Sequence, residues 1–436
     1  MLKNTHKFRH VFLCVLLSIS FLCSCARSSP RQAEDYERYT ASRRDEAPSS
    51  ESPSPDSPQA QRARMDFDAL CGKLFCDQLS ENYLTLHYTL ADPASYGITD
   101  CGLDFGNFSL ELLKEAGETQ KEDKASLDKI PVKFLTDQQQ LTYKILQATY
   151  EAEEKFEGLE LYYQPLAPTV GIQAQLPVLL AEYIFYSKQD VEDYLTLLSS
   201  IDRYYEQILE FEKEKAAAGL FMTDTCVDTI VSDCEAYLAA PEENFLASTF
   251  DERIDAMTDL QEAEKNTYKA RNLEVLTGHF IPAYETLLYG LKDLKGTCTN
   301  EMGLCYFPKG KEYYEYLVHS STGTTYKTID DLKDAVEKQL NYDLMAMSKL
   351  LMDHEELGKQ LDHYQFSHTD PNEILEHLRV VIADDFPELE DASYTTKYVP
   401  SSFEQTLSPA FFLVPPMDRY KDCVIYINQG SVSTSG

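Results

Sequence analysis

From Met65 to about Asp391 apolar residues recur at spacings of three and four, the period of a helix with one buried face. In "FDALCGKLFCDQLSENYLTLHYTL" (67–90) they fall at Leu70, Leu74, Phe75, Leu79, Leu84 and Leu86, and "DPASYG" then breaks the run. "LTDQQQLTYKILQATYEAEEKF" opens on Thr136 with Gln139, a capping pattern, and predicts a helix to about Phe156. "QAQLPVLLAEYIFY", "VEDYLTLLSSIDRYYEQILEFEKEKAAAG" and "TCVDTIVSDCEAYL" predict further helices, with Gly219 placed to end the second. Over 260–294 the apolar positions are Leu273, Leu276, Phe280, Tyr284, Leu287, Leu291 and Leu294, and Pro282 inside this stretch predicts a kink. Thr328 with Asp331 caps a helix running to about Leu351.

After Asp391 the period changes from helical to alternating. "SYTTKYVP", "AFFLVPP" and "CVIYIN" are short strand candidates separated by turn residues. The pattern therefore predicts a mainly α protein: a large helical body with a small antiparallel β-sheet near its C-terminus, strands lying near 394–399 and 423–428. Cys423 to Ile427 is a continuous apolar run, the mark of a strand buried on both faces, yet only nine mostly polar residues follow it.

The chain begins differently. Lys3, Lys7 and Arg9 precede a largely apolar stretch, Val11 to Leu22, that suits a signal-peptide core and is too short to span a bilayer. It ends in Leu22-Cys-Ser-Cys25, which resembles the bacterial lipobox, with Leu three residues before the Cys and a small residue just before it. Residues 1–24 are thus expected to be a lipoprotein signal peptide and Cys25 the lipidated N-terminus of an exported protein, held on the membrane and facing outside the cytoplasm. Ordinary secretory cleavage, with Cys25 incidental, is the other reading. Residues 26–62 are rich in Ser, Pro, Arg and Glu and hold almost no aliphatic side chain, so a disordered tether is expected, about 35 Å in mean reach. A helical domain is expected over 63–428 and a disordered tail over 429–436.

The net charge of −34 repels phosphate backbones and argues against nucleic-acid partners. The eleven Cys show no C-x-x-C spacing, so zinc-finger sites are excluded and buried free thiols are expected for most. No G-x-S-x-G, G-x-x-x-x-G-K-[ST] or G-x-G-x-x-G occurs. "His354-Glu-Glu-Leu-Gly358" begins like H-E-x-x-H, but Gly358 stands where the second zinc ligand would be, and His363 and His368 are off-spacing. It reads as an exposed helix end. His279 reads as a helix-face residue. "Glu312-Tyr-Tyr-Glu-Tyr-Leu317" either lines a cleft or begins an amphipathic helix.

Five blocks together carry a resemblance: "ENYLTLHYTLADPASYGI" (81–98), "GIQAQLPVLLAEYIFY" (171–186), "FEKEKAAAGLFM" (211–222), "GLCYFPKGKEYYEYLV" (303–318) and "KYVPSSFEQTLSPAFFLVPPMDRYKDCVIYIN" (397–428). They resemble the bacterial domain-of-unknown-function family 885. Its members are similar to zinc metallopeptidases of the gluzincin type. The resemblance implies zinc in complete members, held by H-E-x-x-P-G-H on a helix soon after the strand matching "VIYIN", with a Glu further on. This chain departs there, running "QGSVSTSG" after Asn428. The expectations are an incomplete gluzincin-like fold, an N-terminal portion of a longer protein, and neither catalytic residues nor metal in this chain. The resemblance also implies that Val424, Ile425, Tyr426, Ile427 and Asn428 form an edge strand against which an extended peptide lies. A non-catalytic peptide-binding lipoprotein of the cell envelope is the alternative.

Overall fold

The computed structural model describes residues 57–168, 170–238, 243–361, 367–386, 393–399 and 408–432. Cys25, the signal segment, the tether to residue 56, His363 and residues 433–436 lie outside them. The chain divides into two compact units: residues 1–310 with 416–419, and residues 311–415 with 420–436.

The first unit is helical. Its α1, Pro58–Leu79, begins inside the stretch expected to be disordered. The reason is local: the Ser57 side chain accepts the Ala60 N–H, Pro58 supplies a preset first-turn φ, and Ala60 and Ala63 are buried. There follow α2 (Tyr83–Thr89), α3 (Leu110–Leu127), α4 (Asp137–Glu153), α5 (Ile172–Ala181), α6 (Lys188–Leu198), α7 (Ile201–Ala217), α8 (Asp224–Ala236), α9 (Phe245–Ala256), α10 (Glu262–Val275) and α11 (Ile281–Leu294). The Thr136–Gln139 capping box forms on α4 as its spacing predicts. Gly219 takes φ +73° after α7, a conformation that L side chains rarely adopt.

Where one helix was expected over 191–219 there are two. Ser199 and Ser200 turn their hydroxyls back onto the carbonyls of Leu195 and Leu197, both at 2.7 Å, and the chain breaks there between α6 and α7. The expected kink at Pro282 appears as a π-helical turn, Leu276–Phe280, that leads into α11 with Pro282 in its first turn. This places the missing proline N–H where the ladder is already offset.

The core of this unit is aromatic. Tyr183, Tyr194, Tyr205, Tyr284, Phe211, Phe221, Phe250 and Phe280 are among its largest fully buried side chains. Tyr rings in a core need partners for their hydroxyls. Tyr205 donates to the Tyr284 hydroxyl at 2.8 Å, and Tyr284 donates to the Gln173 carbonyl at 2.8 Å. Helices α7 and α11 approach closely at Gly290, where a Cβ would collide with the Leu209 side chain.

The second unit contains most of α12 (Gly310–Thr322), then α13 (Ile329–Asp353), α14 (Glu355–Leu361), α15 (Pro371–Val381), β1 (Ser393–Tyr398), β2 (Ala410–Leu413), β3 (Asp422–Ile427) and a short turn of helix, α16 (Gln429–Val432). The Thr328 hydroxyl accepts the Asp331 N–H at 3.1 Å and caps α13 as predicted. The α16 turn lies within the tail expected to be disordered.

Two expectations about the sheet are corrected. Its order is β1-β3-β2 and it is mixed: β1 pairs with β3 in parallel, Ser393↔Asp422 to Tyr398↔Ile427, and β2 pairs with β3 antiparallel. Alternation identifies strands but says nothing of which strand lies beside which, and the connection from β1 to β3 passes through β2 on the far side. Consequently Val424, Ile425, Tyr426 and Ile427 form the central strand, with Asn428 just beyond it, and do not form an edge. The apolar run does not mark a strand buried on both faces: of Cys423 to Ile427 only Tyr426 is buried. Within the sheet, Phe411 and Tyr426 face each other across the register with stacked rings 4.7 Å apart.

Candidate functional site: an open strand edge beside a polar recess

In a parallel ladder a residue turns its N–H and C=O toward the same neighbour. Ser393 donates its N–H to the Lys421 carbonyl at 3.1 Å, and Val399 donates to Ile427 at 3.0 Å. The odd residues of β1 thus face β3, and the backbone groups of Tyr394, Thr396 and Tyr398 face outward. No described strand pairs with β1 on that side.

Helix α15 supplies the floor beside this edge. Asp370 caps it, accepting the N–H groups of Asn372 and Glu373 at 2.9 and 3.2 Å, with Pro371 at the first position. Asn372, Glu376 and Arg379 stand at i, i+4 and i+7 and share one face. Tyr394 donates its hydroxyl to Glu376 at 2.7 Å and Thr396 to the Asn372 side-chain oxygen at 2.9 Å. The hydrogen bond to Glu376 is the main cause that raises the Tyr394 phenol above its ordinary pKa. Asn372, Glu376, Arg379, Ser393 and Tyr394 line a recess of about 330 Å³. The arrangement offers main-chain donors and acceptors in register and, next to them, mixed polar groups able to hold one side chain.

The residues singled out from sequence are scattered. His354 caps the C-terminal end of α13 and lies 3.5 Å from Glu356, and His368 lies 3.6 Å from Glu373 with its ring 5.0 Å from that of His377. Among the described residues no group of three His, Cys, Asp or Glu side chains could hold a metal ion. His279 pairs with Asp202 at 2.8 Å on a helix surface. Of the 312–317 stretch, Tyr313 and Tyr316 are buried with rings 5.8 Å apart, while Glu312 and Glu315 face out, which is the amphipathic reading. The eight cysteines from Cys71 onward are free.

Sequence reading missed a buried polar constellation in the first unit. His87, on α2, stacks on Tyr183 with centroids 3.7 Å apart and planes within 5°, and its Nδ1 stands 4.0 Å from Asp190. Tyr83 donates to Asp193 at 2.5 Å. Arg253 donates to the Tyr183 carbonyl at 2.6 Å while its guanidinium lies 4.7 Å over the Phe185 ring and 5.1 Å over that of Tyr194. Burial is the main cause that pushes His87 down to about 4, and burial also raises the Asp190 carboxyl. The loop segment 416–419 belongs to the same unit: Asp418 accepts the N–H groups of Ala91 and Asp92, both at 2.8 Å, and Arg419 lies 4.5 Å over Tyr186. A His flanked by Leu86 and Tyr88 on an amphipathic helix was the available signal, but Tyr183 and Asp190 are about a hundred residues away and Arg253 is further still.

Residues 95–435 match the family model described as "Bacterial protein of unknown function (DUF885)". The chain belongs to this family. Its fold is similar to that of a crystal structure from Colwellia psychrerythraea described as "the putative lipoprotein", with TM-score 0.68 and 14% identity, covering 86% of this chain and 68% of that one. No curated protein matches the chain. Among the described residues no helix is long and apolar enough to cross a membrane.

Proposed function

We propose that this chain is the N-terminal, polypeptide-gripping portion of an exported, lipid-anchored protein of the metallopeptidase-like kind, and that it holds an extended peptide along β1 without itself supplying the zinc. The observation that carries the reading is the outward row of backbone groups at Tyr394, Thr396 and Tyr398 beside the recess lined by α15. An extended segment added there gains main-chain hydrogen bonds from the edge and side-chain selection from the recess. This moves the proposed contact from β3, where the resemblance puts it, to β1. Lipid on Cys25 would keep the groove at the membrane surface, and the description of the Colwellia protein supports that reading.

The test uses the full chain and fluorescein-labelled extended peptides. Thr396→Pro deletes an outward N–H and leaves the β1–β3 ladder intact, so affinity is expected to fall about tenfold, the scale of one lost hydrogen bond with imperfect fit. Thr396→Val keeps that N–H and removes only the bond to Asn372, so it is expected to bind within about twofold of wild type. Equal binding by wild type and Thr396→Pro would sink the proposal. Labelled palmitate is expected to enter the wild-type protein and not Cys25→Ala. The alternative, a peptide-binding lipoprotein with no catalytic counterpart, shares the edge. The reading frame beyond codon 436 separates the two: H-E-x-x-P-G-H there supports the first.

A further inference from the structure

The recess beside β1 has an uneven supply of hydrogen-bonding groups. Its acceptors are engaged: Glu376 takes the Tyr394 hydroxyl at 2.7 Å and the Asn372 side-chain oxygen takes the Thr396 hydroxyl at 2.9 Å. The Ser393 hydroxyl donates away from the recess, to the Lys421 carbonyl at 3.0 Å. The donors are not engaged. Among the described residues nothing pairs with the Arg379 guanidinium or accepts from the Asn372 amide nitrogen, although both residues line the recess. Arg379 nevertheless acts on its neighbours: the hydrogen bond to Glu376 raises the Tyr394 phenol, and the guanidinium pulls it the other way.

An added strand would bring a side chain to these donors. Tyr394 and Thr396 both bond to α15, so α15 covers the face on which the even residues of β1 project. A strand laid on the outer edge of β1 puts every second side chain on that same face. Thr396 meets Asn372 and Tyr394 meets Glu376, so α15 runs against the strand, and Arg379 lies toward the start of β1 beside Ser393.

Three kinds of side chain compete for the place. An apolar one strips water from the guanidinium and the amide and gives nothing back. A basic one meets Arg379 with like charge and has to share Glu376 with Tyr394. A carboxylate accepts from both free donors, and the planar Arg fork matches its two oxygens. The net charge of −34 opposes an anionic ligand at a distance. Screening within about 8 Å at physiological salt leaves the choice to the groups that line the recess. We infer that the recess is a specificity pocket for a carboxylate, and that polypeptides taken up along β1 place an acidic side chain in it. This rests on the reading of β1 as a peptide-binding edge, and it names the peptides that the edge prefers.

The experiment is fluorescence anisotropy on the full chain with fluorescein-labelled, C-terminally amidated extended peptides, identical except for a central glutamate, glutamine or lysine. The glutamate peptide is expected to bind about fivefold more tightly than the glutamine one, the scale of an Arg–carboxylate pair at a partly exposed site. The lysine peptide is expected to bind most weakly. Arg379→Gln is expected to bring the glutamate peptide down to the affinity of the glutamine one, Arg379→Lys to keep part of the preference, and Arg379→Glu to invert it in favour of lysine. A glutamine peptide with a free C-terminus is expected to bind like its amidated form. If it gains affinity through Arg379 while the internal glutamate gains none, the pocket takes a chain end and the side-chain assignment falls. Equal affinity for all three amidated peptides, with Thr396→Pro weakening each of them, overturns the specificity and leaves the edge standing. A glutamate preference that Arg379→Gln abolishes and Thr396→Pro leaves at full affinity defeats the edge and leaves the pocket. Binding of no peptide at all defeats both.

Discussion

The two units solve the problem of helix faces in opposite ways. In the first, helices such as α7 and α11 bury large aromatic residues against each other, and even polar groups go inside: Glu212 and Lys215 are paired at 3.3 Å with side chains 0% and 2% exposed. In the second, α13 buries nothing and α15 places its polar face on the sheet and its apolar face in water. Hydrophobic pattern alone does not separate them, since stripes of similar period occur in both. What differs, among the described residues, is whether the helix faces are buried. The first unit buries its aromatic stripes, whereas the described residues of α13 and α15 include no buried side chain.

The largest expected effect comes from opening the aromatic core. Tyr284→Ala removes a fully buried ring in contact with Phe280, Tyr205 and Tyr237 and leaves the Tyr205 hydroxyl without its acceptor. A loss of about 4 kcal/mol in chemical denaturation is expected, mostly from the cavity. A loss below about 1 kcal/mol would mean that the core repacks and is less close-fitting than the contacts show.

Lys215→Met comes next. It strands Glu212, whose pKa burial already raises against the opposing pull of Lys215. About 3 kcal/mol should be lost at pH 7, and the double change Lys215→Met with Glu212→Leu should recover most of it, because an apolar pair of similar volume replaces a buried ion pair at little cost. A double variant no better than the single one breaks that argument.

The third prediction concerns acid. His87 has an ordinary value of 6.5 and is held at about 4, so between these limits the unfolded chain binds more protons than the native one. Stability is full above pH 6.5 and is lost as the pH falls toward 4, by roughly 2–3 kcal/mol at about 1.4 kcal/mol per pKa unit. Asp190 works the other way, since its raised pKa makes protonation of the native state easier as pH falls. Urea titrations of wild type and His87→Phe from pH 7.5 to 4.5 measure the difference. A variant that keeps the wild-type slope would place the acid sensitivity elsewhere.

The smallest effect sharpens the contrast. Leu340→Ser on the open stripe of α13 is expected to change stability by no more than about 0.5 kcal/mol, because a half-exposed side chain on an unpacked helix has little burial to lose. A loss near that of Tyr284→Ala would show that the stripe is already covered within this chain.

Much of the fold is legible along the chain because it is decided within a few residues. The caps at Thr136 and Thr328, the left-handed Gly219 and the three strands follow from side chains that satisfy backbone groups three or four positions away, or from alternation. The proposed site is only half legible. The strands are visible, but the residues facing outward on β1 depend on which neighbour it has, and the recess depends on Asn372 and Glu376 reaching residues 24 and 18 positions on. The His87 constellation is less legible still, because its meaning lies in Tyr183, Asp190 and Arg253, which arrive from two other parts of the chain.

By itself the sequence determined the helical class, the change to strands after residue 391, the ends of several helices and membership in the family. Only the tertiary structure decided that β3 is central, that β1 runs parallel to it with no described strand on its outer side, and that α15 faces the sheet with its polar residues. The reason is physical. Periodicity states that a helix or strand has two unlike faces, but which face meets which surface is set by the free energy of the whole assembly. Here hydrogen bonds from Tyr394 and Thr396, with no buried side chain on α15, fix which face of the helix meets the strand.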